Sequence, residues 1–185
     1  AKATGKRKFR FKNKLVSIDS TVIDLSLSLC DWAKYQRTKG AVKLHLVLDH
    51  DGYLPCFGVV TDGKVHDVKV AQRIEFAPGT IVVDDRGYND YRLFAKWTAQ
   101  GVYFVTCMKD NAQFEVLEEH QVPQNSLILS DQTVRLSGAA AQDKCPHALR
   151  RIQAVREDTG DILVFLTNHF GLSASTIAAI YKDRW

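Results

Sequence analysis

No stretch of the chain approaches the roughly 20 consecutive apolar residues needed to span a bilayer, and the basic residues at its start are not followed by an apolar run. Neither a membrane anchor nor a secretory signal is expected, and a cytoplasmic protein is. Cysteine is sparse. Cys30, Cys56, Cys107 and Cys145 lie far apart, form no C-x-x-C pair and lack the close Cys/His spacing of a zinc site. That spacing excludes a disulfide scaffold and points to reduced thiols, mostly in the core. Internal repeats and low-complexity stretches are absent, which sets aside solenoids and biased linkers. Acidic residues are missing from the first fourteen positions, where Lys2, Lys6, Arg7, Lys8, Arg10, Lys12 and Lys14 stand among Phe9 and Phe11. Such an arm suits a phosphate backbone, from which it would release counterions, and equally suits a solvated tail.

What remains is ordinary globular material. A chain of 185 residues, 45% hydrophobic and 25% charged, can bury one core with an elaboration. Residues 15 to 29 are rich in Val, Ile, Ser and Thr and predict a strand carrying Asp19 near its middle. Val42, Leu44, Leu46 and Leu48 alternate with Lys43, His45 and Asp49, and Asp51-Gly52 turns the chain into a third strand through Cys56 to Val60. A short helix is expected from His66 to Ile74. Thr80 to Asp85 is an unbroken apolar run ending in two carboxylates, as in a strand buried on both faces. A helix from about Asp90 to Gln100 follows, capped by Asn89 or Asp90 and stopped at Gly101, and then an apolar strand from Val102 to Thr106.

Beyond Lys109 the texture changes to short β-prone pieces, Phe114 to Leu117, Ser126 to Leu129, Thr133 to Leu136, Arg151 to Val155 and Ile162 to Leu166. A final helix begins after Leu172, with Ser173 or Ser175 as its cap, and places Ile177, Tyr181 and Arg184 on one face. The expected organisation is a basic arm at 1–14, an α/β core at 15–108, a β-rich insertion at 109–170 and the start of a helix at 171–185. Asp19 and Asp84 or Asp85 are the candidate chemistry. If their strands are adjacent, the carboxylates repel one another unless a divalent cation sits between them, and oxygen ligands alone favour Mg²⁺ or Mn²⁺. Asp is also common at strand ends and turns, so the pair by itself is a weak signal.

Four pieces taken together resemble a known family. They are Ser17 to Leu25, Lys39-Gly40-Ala41-Val42-Lys43-Leu44-His45, Val83-Asp84-Asp85-Arg86-Gly87-Tyr88 and Tyr181-Lys182-Asp183-Arg184-Trp185. In this order they are similar to bacterial insertion-sequence transposases of the insertion-sequence-four type, which carry a DDE catalytic domain. The resemblance implies an RNase H-like fold, a mixed sheet flanked by helices, with a β-rich insertion before the last helix. It implies Asp19 and Asp85 as catalytic, metal-holding acids, with Asp84 the weaker choice for the second. It further implies Mg²⁺ or Mn²⁺ as cofactor and double-stranded DNA, terminal inverted repeats and target, as substrate, cut and joined by a homodimer.

Tyr181 and Arg184 match the family's Tyr-x-x-Arg, with Arg184 expected to clamp a phosphate. Lys39, Lys43, His45 and Arg86 are further candidates for DNA contact. The family's third acid falls four residues after Arg184, beyond Trp185, so this stretch alone is expected to be inactive and to hold metal weakly. His66-Asp67 could orient a water or serve only as a helix cap. The alternatives are a non-catalytic DNA-binding protein derived from such a transposase, and another RNase H-like nuclease.

Overall fold

The computed structural model describes residues 9–25, 34–36, 39–138 and 140–184. Two compact units divide the chain, Ala1–Glu75 and Phe76–Trp185. The first is built on three long strands, β1 (Leu15–Leu25), β3 (Lys39–Asp49) and β4 (Leu54–Asp62), with the three-residue β2 (Lys34–Gln36) and a short helix α1 (Asp67–Ala71). β3 lies between β1 and β4, antiparallel to both, and β2 pairs with its first residues. The Asp51-Gly52 turn is where expected, with Gly52 at φ 101° and Tyr53 at φ 53°, so consecutive positive dihedrals reverse the chain. In β1, Val16 and Ile18 are buried, whereas Val22 and Ile23 are exposed. The expected extension of β1 to residue 29, together with Cys30 and Trp32, lies outside the described residues.

The second unit is a mixed sheet with helices. β5 (Ile81–Val83) and β6 (Tyr103–Cys107) are parallel neighbours joined through the helix α2 (Tyr91–Ala99). Parallel strands need such a crossover because a hairpin cannot return the chain in the same direction. All three β5 side chains are fully buried, which accounts for the unbroken apolar run. On α2, Leu93, Phe94 and Trp97 form the buried face, and the Phe94 ring stacks on Phe104 of β6 at 4.4 Å between centroids. The helix starts at Asp90, whose carboxylate accepts the Leu93 N–H at 2.9 Å, and is followed by Gly101 at φ 69°.

The β-prone stretch is not a separate layer. It forms β7 (Phe114–Glu119), β8 (Ile128–Leu136), β9 (Leu149–Val155) and β10 (Ile162–Thr167), an antiparallel meander whose last strand pairs with β6. The order within the unit is thus β5-β6-β10-β9-β8-β7. The last two residues of the piece expected at 126–129, and all of the piece expected at 133–136, belong to the one strand β8, bulged between Ile128 and Ser130. A short helix α3 (Ala141–Lys144) that the sequence did not suggest lies between β8 and β9. α4 (Ala174–Lys182) closes the unit, with the Ser173 hydroxyl accepting the Thr176 N–H at 3.1 Å. Among the described residues no helix is long and apolar enough to cross a membrane.

Candidate active site

Asp85 stands two residues past the end of buried β5, where the chain turns into a single 3-10 turn, Arg86–Tyr88. One carboxylate oxygen accepts the Gly87 N–H at 2.7 Å, and the other lies 3.3 Å from the Arg184 guanidinium at the end of α4. The Asp85 side chain is 40% exposed, while that of Arg184 is 1% exposed. Two residues 99 positions apart therefore meet at the mouth of the parallel pair. Tyr181, one turn earlier on α4, sets its ring against Phe165 of β10 at 5.1 Å between centroids. Burial and the neighbouring Cys107 thiol push the Tyr181 hydroxyl well above its usual range. Burial likewise raises Cys107, whose thiol sits beside Tyr181, Arg86 and Arg184.

Asp84 differs sharply from its neighbour. Its side chain is fully buried, and neither carboxyl oxygen finds a hydrogen-bond partner among the described residues. The nearby Thr106 hydroxyl lies 3.2 Å from the Asp85 carbonyl, to which it donates. Burial pushes the Asp84 carboxyl up to about 8, with negative Asp85 adding to the rise, and Thr106 and Arg184 opposing it. Burial thus favours the neutral form of the Asp84 carboxyl.

Asp19 belongs to the first unit, half-buried on β1, where it stands opposite Leu46 of β3; its carboxylate accepts the N–H of Ser20 at 2.8 Å. The next side chain, Ser20, points into a polar cluster centred on Asp67. The Ser20 hydroxyl donates to Asp67 at 2.7 Å, the Lys43 ammonium lies 3.2 Å from the same oxygen, and His45 Nδ1 lies 3.6 Å from it. Lys43 also donates to the Val65 carbonyl, and His45 Nε2 meets the Thr61 hydroxyl at 3.0 Å.

Two of the candidates for DNA contact turn into this cluster: His45 is fully buried, and the Lys43 side chain is only 14% exposed. The reason is that Asp67, at the start of α1, gathers both. Burial lowers the His45 imidazole, Lys43 adds to that effect and Asp67 opposes it. Asp67 is not the cap of α1; His66 occupies that position without a side-chain cap bond. Lys39 opens β3, and its side chain is outside the described residues. Arg86 is half exposed and pairs with Asp110 at 3.0 Å.

The family model for the transposase DDE domain matches residues 10–185. The chain belongs to that family. Within it, the chain is 34% identical over 172 residues to a putative transposase, y4zB, of Sinorhizobium fredii, covering 91% of this chain and 48% of that protein. It is 30% identical over 187 residues to a probable transposase for insertion sequence element IS5377 of Geobacillus stearothermophilus, covering 97% of this chain and 47% of that protein. The chain thus spans about half the length of these curated relatives. Among solved structures, the piggyBac transposase in a synaptic complex with hairpin DNA aligns with 91% of this chain and 37% of its own, at a TM-score of 0.52 and 10% identity. That likeness concerns the fold alone, and it agrees with the mixed α/β, RNase H-like class.

One group of residues in this transposase DDE domain was not singled out by the sequence. Asn168, just after β10, accepts the Phe104 N–H at 3.0 Å and donates to the Thr98 hydroxyl and the Val102 carbonyl, each at 2.9 Å. It ties β10, α2 and β6 together at the point from which the chain leaves for α4. Its only sequence signal is the polar Thr-Asn-His at the end of an apolar strand, which reads equally well as a turn.

Proposed function

We propose that this DDE domain cleaves and joins DNA strands at the ends of an insertion sequence, with Asp19 and Asp85 as the acids that hold a divalent cation. The observation that carries the reading is the meeting of Asp85 and Arg184, residues of two different family motifs within the second unit, at the end of a buried strand. Hard carboxylate oxygens suit Mg²⁺ or Mn²⁺, although among the described residues no group of three or more His, Cys, Asp or Glu gathers. When bound, the metal supplies Lewis acidity at the phosphoryl centre and lowers the pKa of the attacking water or 3′-hydroxyl. Gly87 N–H and Arg184 orient the Asp85 carboxylate, each holding one of its oxygens.

The substrate in this reading is double-stranded DNA, both terminal inverted repeats and target. Arg86 and the basic arm supply cations for its backbone. Bringing two element ends together makes a homodimer the working assembly, and action on chromosomal DNA places it in the cytoplasm at the nucleoid. A second reading, a non-catalytic DNA-binding role, is favoured by the ion pair that already neutralises Asp85. Strand cleavage of a duplex bearing the element's ends by the full-length protein, in Mg²⁺, separates the two. The catalytic reading expects product to fall by at least about a thousandfold in Asp19→Asn and in Asp85→Asn, with duplex binding retained. Binding of the duplex with no cleavage by the parent would leave the DNA-binding reading standing, and equal cleavage by parent and both variants would overturn the assignment of Asp19 and Asp85.

A further inference from the structure

The β8–β9 pair holds a buried charge cluster that the catalytic reading does not use. Asp131 on β8 and Arg150 on β9 are both at least nine-tenths buried, and they form a two-pronged ion pair, Nε to Oδ1 at 2.8 Å and NH2 to Oδ2 at 2.6 Å. The third guanidinium nitrogen, NH1, turns away from the aspartate. It donates to the backbone carbonyls of Leu172 at 2.5 Å and His169 at 3.3 Å, with Phe170 at 3.5 Å. These carbonyls belong to the turn between β10 and α4. On that turn the His169 ring accepts the Gly171 and Leu172 N–H groups at 3.2 Å each and packs on Tyr103 at 4.1 Å.

Only arginine can do this. Its planar fork presents donors in two directions at once, whereas the single ammonium of lysine cannot cover a carboxylate and three carbonyls together. The positive end of α4 starts at Ala174, two residues beyond Leu172, so a bare cation there would be repelled by the helix dipole. Asp131 removes that objection. The result fixes the origin and direction of a nine-residue helix, about 14 Å long at its usual rise, whose far end presents Arg184 to Asp85. A small tilt at the origin displaces the far end in proportion to that length.

We infer that Asp131 and Arg150 are the positioning pair of the candidate active site: anchored on the β8–β9 strands, they set the launch of α4 and so bring Arg184 onto Asp85. The inference rests on the reading of Asp85 as a functional acid, but its geometry stands apart from that reading. Neither residue touches Asp85; each acts through the turn and the helix.

The test uses the 185-residue chain with no DNA or metal, so its failure leaves the strand-cleavage reading untouched, and loss of that reading leaves this one measurable. Two variants are compared with the parent by NMR, Asp131→Asn and the apolar double replacement Asp131→Leu with Arg150→Met. Replacing a buried ion pair by apolar residues of similar volume often preserves stability, so the double variant separates positioning from mere support. The readouts are amide hydrogen exchange and the Nε–H resonance of Arg184, whose buried guanidinium meets Asp85 through NH2 at 3.3 Å. In both variants the α4 amides should exchange at least tenfold faster and the Arg184 resonance should broaden or move, while β5 and β6 keep their protection. Unchanged α4 exchange with an unchanged Arg184 resonance overturns the inference. Equal loss of protection across β5, β6 and α4 also overturns it, because the pair would then support the whole unit.

Discussion

Asp84 and Asp85 are neighbours in sequence and opposites in environment. Asp85 reaches solvent, a backbone N–H and a guanidinium, whereas Asp84 turns into the core with no partner among the described residues. An acid raised to about 8 when folded, against 3.8 when unfolded, is better accommodated neutral, so its contribution is fully present below about pH 4 and is lost as pH rises toward 8. Each pH unit in that window costs up to about 1.4 kcal/mol. Asp84→Asn should therefore be nearly neutral at pH 4 and more stable than the parent at pH 8. Urea unfolding at both values checks this, and a difference independent of pH would speak against a buried, protonated Asp84. Asp67 is the converse case. It neutralises Lys43 in a mostly buried cluster, so Asp67→Ala strands a cation and should cost about 2–4 kcal/mol. Lys43→Met with Asp67→Leu should cost much less, since both charges leave together, and denaturant midpoints of the two variants decide it.

At the scale of elements, the helices were the most legible. α2 and α4 announce themselves by apolar spacing and by a pair of cap candidates each, of which Asp90 and Ser173 are the ones that cap. Removing either cap by alanine should lower stability by about 1 kcal/mol, read as a shift of the urea midpoint with an unchanged slope. β5 was legible too, because a strand buried on both faces needs no alternation. The strands that were misread failed for a physical reason. β8 looked like two pieces because Ser130, Asp131 and Gln132 interrupt its apolar residues, and Asp131 is tolerated there only through Arg150, nineteen positions away. The face of β3 was misread likewise: Lys43 and His45 alternate as solvent-facing residues do, yet α1 supplies the carboxylate that keeps them inside. In both places a long-range partner overrides the local pattern, and one sequence does not display its partners. The Tyr181 and Arg184 face of α4 could be read from spacing, but the Arg184 contact with Asp85 could not.

For the molecule as a whole, family membership and fold point the same way, to a transposase DDE domain, and the proposed chemistry asks for one acid from each unit. Asp19 lies on a strand of the first and Asp85 beyond a strand of the second. In the proposed function a shared cation couples them. The measurement that reaches this point most directly is Mn²⁺ titration of the chain, followed by paramagnetic broadening of amide resonances, in parent, Asp19→Asn and Asp85→Asn. The account predicts that Mn²⁺ broadens residues around Asp19 and around Asp85 together, and that either substitution weakens both effects at least tenfold. Broadening confined to one acid, or left intact by both substitutions, would contradict a shared metal site and with it the proposed chemistry.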